Sequence, residues 1–203
     1  MLENQMMLLA VFERAALMLM TLFLLTRTRP FQRLFQKRDH TPAELLLVAA
    51  IFGLFAVFST YTGIPVEGAL INVRIIAIIS GGILFGPWVG IPAGVISGLH
   101  RYLIDMDGHT SIPCLIASII AGLLATWLHL RCRKSRLWLY GILAGMACEG
   151  LTMLLIWLLT EPHAVGVEIV SHIAYPMIAG TLCIGLIIKL VQDLDDEKEL
   201  IAA

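Results

Sequence analysis

The chain has 203 residues, 59% of them hydrophobic and 14% charged, with a mean hydropathy of +0.88. Soluble domains run about 45–50% apolar and ~25% charged, so this composition excludes an ordinary soluble domain and identifies an integral membrane protein. The net charge of -1 hides an uneven distribution: of fourteen Lys and Arg residues, five lie in Arg27–Arg38, four in Arg131–Arg136 and two, Lys189 and Lys198, near the C-terminus. Arg14, Arg74 and Arg101 stand apart.

A membrane-crossing helix needs about 20 mostly apolar residues. The first such run, Met6–Thr26, has no basic leader and no small-residue cleavage site, so it is predicted to be a retained span rather than a signal peptide. Glu13 and Arg14 inside it neutralise one another or face other helices. A second span is predicted at Glu44–Tyr61. The segment Gly68–Asp105 that comes next is apolar and glycine-rich but is split by Phe85-Gly86-Pro87-Trp88, where Gly-Pro signals a turn. Its halves are either two short tilted spans or a re-entrant hairpin. Further spans are predicted at Ile112–Leu130, Trp138–Thr160 and Glu168–Leu190, with kinks at Pro92 and Pro113. The fold class is therefore an all-α polytopic transmembrane bundle of seven spans, or five plus a hairpin. Residues 1–191 form its membrane domain, and residues 192–203 begin a cytoplasmic helix.

Positive residues concentrate in cytoplasmic loops, which places both basic loops inside and the N-terminus outside. An even number of crossings separates the two loops under either count, and two more put the C-terminus inside. Arg74 then lies near the outer end of the first half-segment, Gly86-Pro87 turns on the inner side, and Arg101 returns to the outer end of the second half. The two arginines are expected at similar depth on one face, with Cys114 at the outer mouth of the next span.

An arginine at a membrane-helix centre costs roughly 2.5–3.5 kcal/mol on insertion scales and normally faces a cavity or a partner. Three readings apply to this pair. Each guanidinium can snorkel to the headgroups, or Arg101 can pair with Asp105 at i,i+4. Alternatively, both can hold an external anion, since guanidinium matches carboxylate bidentately. Asn72, His100, Tyr102, Thr110 and Ser111 supply neutral polar groups nearby. Gly81, Gly82, Gly86, Gly90, Gly94 and Gly98 include a run at four-residue spacing, which lets helix backbones approach closely. Glu149 and His172 lie within spans, and neither is assigned a role. Cys114, Cys132, Cys148 and Cys183 have neither disulfide-framework nor zinc spacing, and no cofactor is called for.

The ordered set Asn72-Val73-Arg74, Gly81–Gly90, Ala93–Tyr102 and Thr110–Cys114 resembles the membrane domain of LytS-type sensor histidine kinases, the 5TMR-LYT type. Within that family it is most similar to the enterobacterial pyruvate-sensing YpdA/YehU group. The resemblance runs over nearly the whole chain. It implies a receptor for extracellular pyruvate in the bacterial inner membrane, working as a homodimer. Cytoplasmic GAF and kinase domains, absent from this chain, would then phosphorylate a LytTR-type response regulator; no nucleic acid is implied as a direct partner. The family's ligand residues fall on Arg74, Arg101 and Cys114. Its hydroxyl position falls on Ala117, with Ser118 beside it, and Asn72 and Tyr102 complete the candidate set. A more distant likeness to the S subunits of energy-coupling-factor transporters keeps a second reading open, a small transporter or transporter subunit for an organic anion. No catalytic motif is present in the chain.

Overall fold

The computed structural model describes residues 2–28, 40–66 and 69–202. Most of the first basic loop, residues 29–39, lies outside the described residues, as does Glu67. The elements in chain order are α1 (Leu2–Thr26), α2 (Pro42–Tyr61), β1 (Ile64–Val66), β2 (Ala69–Ile71), α3 (Arg74–Phe85), α4 (Pro87–Ile104), α5 (Ser111–Arg131), a 3-10 turn (Lys134–Arg136), α6 (Leu137–Leu159), α7 (His163–Gly180) and α8 (Leu182–Ala202).

Five stretches are long and apolar enough to cross a membrane: Gln5–Leu25, Pro42–Tyr61, Ser111–Arg131, Lys134–Leu159 and His163–Asp193. Helices suit this role because they satisfy every backbone N–H and C=O internally. Their outer faces carry exposed Leu46, Leu54, Leu123, Trp127, Leu154 and Leu186, whereas Arg74, Arg101, Ser118 and Glu149 are buried inside. This apolar-out arrangement is what a hydrocarbon solvent requires.

α2 starts at a capping box, in which the Thr41 backbone N–H donates to Glu44 Oε2 at 2.8 Å and the Glu44 N–H donates to Thr41 Oγ1 at 3.4 Å. Pro42 occupies the first helical turn, where no donor is lost. The final span is two helices rather than one, meeting at Thr181, whose hydroxyl donates to the Ile178 carbonyl at 2.7 Å.

The split segment resolves in favour of five long spans plus a folded-back pair. α3 has 12 residues, about 18 Å of helix, well short of a ~30 Å hydrocarbon core. All its residues except Leu84 are buried, and it contacts α2, α4, α5, α6 and α8. Gly86 then reverses the chain with φ 77° and ψ -156°, a conformation open essentially to glycine alone. His129 Nδ1 lies 2.8 Å from the Ile83 carbonyl beside this turn, and the His40 ring packs edge-on against Phe85. The turn therefore sits at the end of α5 that leads into Arg131–Arg136.

Backbones meet closely where the glycines lie. A Cβ on Gly90 would come within 2.8 Å of Gly82 Cα, and one on Gly122 within 2.4 Å of the Gly90 carbonyl oxygen. Two features depart from expectation. A short antiparallel hairpin, β1 with β2, pairs Ile64 with Ile71 ahead of α3, because the Ile64–Ile71 run is too short and too interrupted by Pro65 to extend a helix. Pro113 does not kink α5: it stands in the first turn of that helix, where a missing N–H costs nothing. Pro92 does lie inside α4.

Candidate functional site

Arg74 opens α3, and Arg101 lies in the last turn of α4. Both are buried, at 2% and 0% exposure. Snorkelling to the surface is thereby set aside for both side chains.

Each arginine is tied to the N-terminal part of α5. Arg74 Nε donates to Ser118 Oγ at 3.0 Å. Arg101 Nη2 donates to Thr110 Oγ1 at 2.9 Å and to Asp105 Oδ2 at 3.0 Å. The pairing of Arg101 with Asp105 is thus present, yet it uses only one guanidinium nitrogen. The expectation of similar depth is refined: the anchors on α5, positions 110 and 118, are separated by about 12 Å of helix rise. Arg101 sits at the rim, and Arg74 sits two turns further in.

The close α4–α5 contact explains how they converge. A Cβ on Gly94 would fall 2.6 Å from the Ser118 carbonyl oxygen, and one on Gly98 would fall 3.0 Å from the Leu115 carbonyl oxygen. With small residues on that face, α4 lies against α5 and Arg101 reaches Thr110.

The other candidate residues divide into two groups. Ser118, whose hydroxyl also donates to the Cys114 carbonyl at 2.7 Å, stands directly on Arg74, whereas Ala117 is buried without a hydroxyl. Cys114 is buried one turn from Ser118 and, like Cys132, Cys148 and Cys183, is a free thiol. Asn72 Oδ1 accepts the Arg74 backbone N–H at 3.3 Å, and its Nδ2 donates to the Leu70 carbonyl at 3.2 Å; it shapes the β2–α3 junction. Tyr102 is half-buried and makes no hydrogen bond to either arginine among the described residues.

Much of the buried polar capacity here is unused. Arg74 Nη1, Arg101 Nε and Nη1, Ser97 Oγ and both His100 ring nitrogens are buried without a hydrogen-bond partner. Ser97 and Arg101 share a face of α4 at i,i+4. Buried donors are almost always satisfied, and guanidinium donors are best satisfied by carboxylate or phosphate oxygens.

Sequence reasoning noted Glu149 within a span but assigned it no role. It is 3% exposed on α6 with Oε2 unpartnered. Thr152 does not bond to it, since that hydroxyl donates to the Cys148 carbonyl at 2.8 Å. The available signal was an unpaired acid in the middle of an apolar span. His172 bonds instead to the Glu168 carbonyl of its own helix, at 2.9 Å.

A cavity of about 410 Å³ lies elsewhere, between α1 and α2; Arg14, Leu17, Phe55, Phe58, Ser59 and Val73 contribute to its lining, which includes neither Arg74 nor Arg101. Arg14 bonds to the Ala10 and Thr62 carbonyls. Among the described residues no cluster of His, Cys, Asp and Glu has the makings of a metal centre.

Comparison with known proteins agrees with the architecture. Residues 28–194 match the family described as 5TMR of 5TMR-LYT. The chain is 59% identical over 197 residues to sensor histidine kinase YpdA of Escherichia coli K12, covering 97% of this chain and 35% of that protein. It is 31% identical over 188 residues to sensor protein LytS of Bacillus subtilis, covering 83% of this chain and 31% of that protein. It is 30% identical over 192 residues to sensor histidine kinase BtsS of Escherichia coli K12, covering 91% of this chain and 34% of that protein. The chain thus spans about a third of the length of these relatives. No solved structure matches it. With its matched region, its five long spans and its buried arginine pair in place, the chain belongs to the 5TMR of 5TMR-LYT family and is a multi-pass membrane sensor domain of the LytS/YpdA type.

Proposed function

We propose that this domain senses a small external carboxylate, pyruvate by family resemblance, held between Arg74 and Arg101. The single observation that carries this reading is the set of buried, unpartnered guanidinium N–H groups on both arginines. Arg101 meets the anion at the rim and Arg74 from two turns below, with Ser118 and Cys114 on the α5 side. Because both arginines are almost fully buried, the anion enters when the outer loop between α4 and α5 or the β1–β2 hairpin moves aside.

In this reading both basic loops face the cytoplasm of a bacterial inner membrane and the N-terminus lies outside. α8 carries the binding event toward cytoplasmic GAF and kinase domains of a homodimeric receptor, and a LytTR-type response regulator receives the phosphoryl group. The ligand acts only through its different affinity for two packings of the bundle.

Pyruvate binding to the purified chain and to Arg74→Ala and Arg101→Ala tests the site. Each charge-assisted hydrogen bond contributes about 1.5–3 kcal/mol, so either variant is expected to lose at least about tenfold in affinity. Binding by both variants at wild-type strength would sink the reading. Uptake of labelled pyruvate into liposomes holding the chain would replace it with a transporter.

A further inference from the structure

The cavity between α1 and α2 stands apart from the arginine pair and has a chemistry of its own. α1 is seated on α7 and α8 rather than on α2. The gap left beside it has a volume of about 410 Å³, within the ~300–1,000 Å³ usual for ligand sites. α1 lines it from Arg14 to Thr21 and α2 from Ile51 to Thr62, each through residues three and four apart, which share one helix face. These two stripes run for about 10 and 16 Å. Arg14 donates through Nη1 and Nε to the Ala10 and Thr62 carbonyls. One end of the groove therefore holds Arg14 with Thr62, and the other holds Thr21 with Ile51. Leu17, Leu54 and Phe58 are exposed, so its flank opens to the surrounding hydrocarbon.

The polar groups of the lining are not alike. The Thr21 hydroxyl donates to the Leu17 carbonyl at 2.7 Å, the Thr62 hydroxyl donates to the Phe58 carbonyl at 3.1 Å, and Ser59 Oγ accepts the Val73 N–H at 2.8 Å. Those groups are occupied within the protein. Arg14 keeps capacity: among the described residues its Nη2 has no partner, and no carboxylate pairs with its charge. Glu13 is exposed and lies roughly 100° away around α1. A cation within a span is costly without a counter-charge, and phosphate matches a guanidinium bidentately. α2 has 20 residues, about 30 Å of helix and so the thickness of a hydrocarbon core. Thr62, just past its end, therefore marks the level of the lipid headgroups. A cation at that level, with an apolar channel running from it into the bilayer, matches a phospholipid in both shape and charge.

We propose that this groove binds one anionic phospholipid, with its phosphate on Arg14 and one acyl chain lying between α1 and α2 toward Thr21 and Ile51. The chain fills a gap that the helices leave, and the head supplies the charge that offsets the guanidinium. A zwitterionic lipid offers the same phosphate but brings a positive group with it, which leaves Arg14 uncompensated.

Native mass spectrometry of the purified, delipidated chain in a non-ionic detergent tests this, with phosphatidylglycerol as the probe and phosphatidylcholine, oleate and glycerol phosphate as comparisons. The expected result is one phosphatidylglycerol bound saturably, about tenfold more tightly than phosphatidylcholine. Arg14→Ala is expected to lose at least about tenfold in phosphatidylglycerol affinity, and Arg14→Lys, which keeps the charge, should lose less. Leu54→Trp sets a larger ring in the groove with Arg14 intact and should weaken binding similarly. Equal affinity for the two phospholipids overturns the proposal, as does wild-type affinity in Arg14→Ala. Wild-type affinity in Leu54→Trp places the lipid outside the groove and overturns it too. Preferred binding of oleate assigns the groove to a fatty-acid carboxylate instead, and glycerol phosphate bound as tightly as phosphatidylglycerol removes the role of the chain; either result overturns the phospholipid. The wild-type lipid preference and Leu54→Trp decide the matter even if Arg14→Ala does not fold. Pyruvate enters none of these measurements, so their failure and that of the anion site are separate.

Discussion

Ser118 holds Arg74 to the backbone of α5: it accepts from Arg74 Nε at 3.0 Å and donates to the Cys114 carbonyl at 2.7 Å. One hydroxyl thus orients a guanidinium in a place closed to water. Ser118→Ala leaves Arg74 Nε unpaired in the interior and is expected to cost about 1–3 kcal/mol. Ser118→Thr, which keeps the hydroxyl, should retain more of the stability. Denaturation in detergent distinguishes them, and an alanine variant as stable as wild type would show that this bond does not hold Arg74.

Asp105 is the only carboxylate paired with Arg101 among the described residues, and its side chain is 40% exposed. Replacing it in Asp105→Asn removes the charge that balances a fully buried guanidinium. The expected loss is about 1–3 kcal/mol, below that for a wholly buried pair because water reaches the carboxylate. Pyruvate should restore part of it, so the ligand-induced rise in Tm should exceed that of wild type. An equal rise in both proteins would mean that Arg101 does not meet the anion.

Gly94 and Gly150 make a matched pair of alanine substitutions. A Cβ on Gly94 would press on the Ser118 carbonyl oxygen from 2.6 Å, whereas one on Gly150 meets nothing within 4 Å. Gly94→Ala should force α4 from α5, cost about 1–3 kcal/mol and weaken anion binding. Gly150→Ala should be neutral or stabilise by up to about 1 kcal/mol, since alanine is the better helix former. Equal melting temperatures for the two variants would contradict the close α4–α5 contact.

Gly86 combines φ 77° with ψ -156°, and a Cβ there would also lie 2.9 Å from the His129 ring. Gly86→Ala is expected to cost about 1–3 kcal/mol from backbone conformation alone. Removing the ring in a His129→Ala background tests the division. If the loss disappears there, the contact rather than the dihedral was responsible.

The helices and the convergence of the arginines were legible because charge and hydropathy repeat along the chain. Basic loops fix which ends lie together, and parity then brings Arg74 and Arg101 to one end. Depth was not legible: it depends on where α3 begins, and the β1–β2 hairpin, hidden in an apolar run that reads like the start of a helix, sets that point. Glu149 escaped for a related reason. Its burial depends on the rotation of α6 about its axis, and a helix that is apolar on every side carries no periodic mark of that rotation. Ser118 was legible only as a neighbour of Ala117, since a one-residue shift turns a side chain through about a quarter of a helical turn.

α3 has no lipid-facing flank along almost its whole length, and it starts at Arg74. At its other end the side chains of Ile83 and of Ile184 and Ile188 on α8 all lie over Gly141, each within 3.3 Å of where a Cβ there would stand. The guanidinium and the last helix are therefore joined by a short rigid shaft seated in close-packed walls, with no soft loop between them. Such a shaft cannot absorb a push at one end by bending into solvent or lipid. Under the proposed function, α3 is the packed route by which a displacement of Arg74 would reach α8.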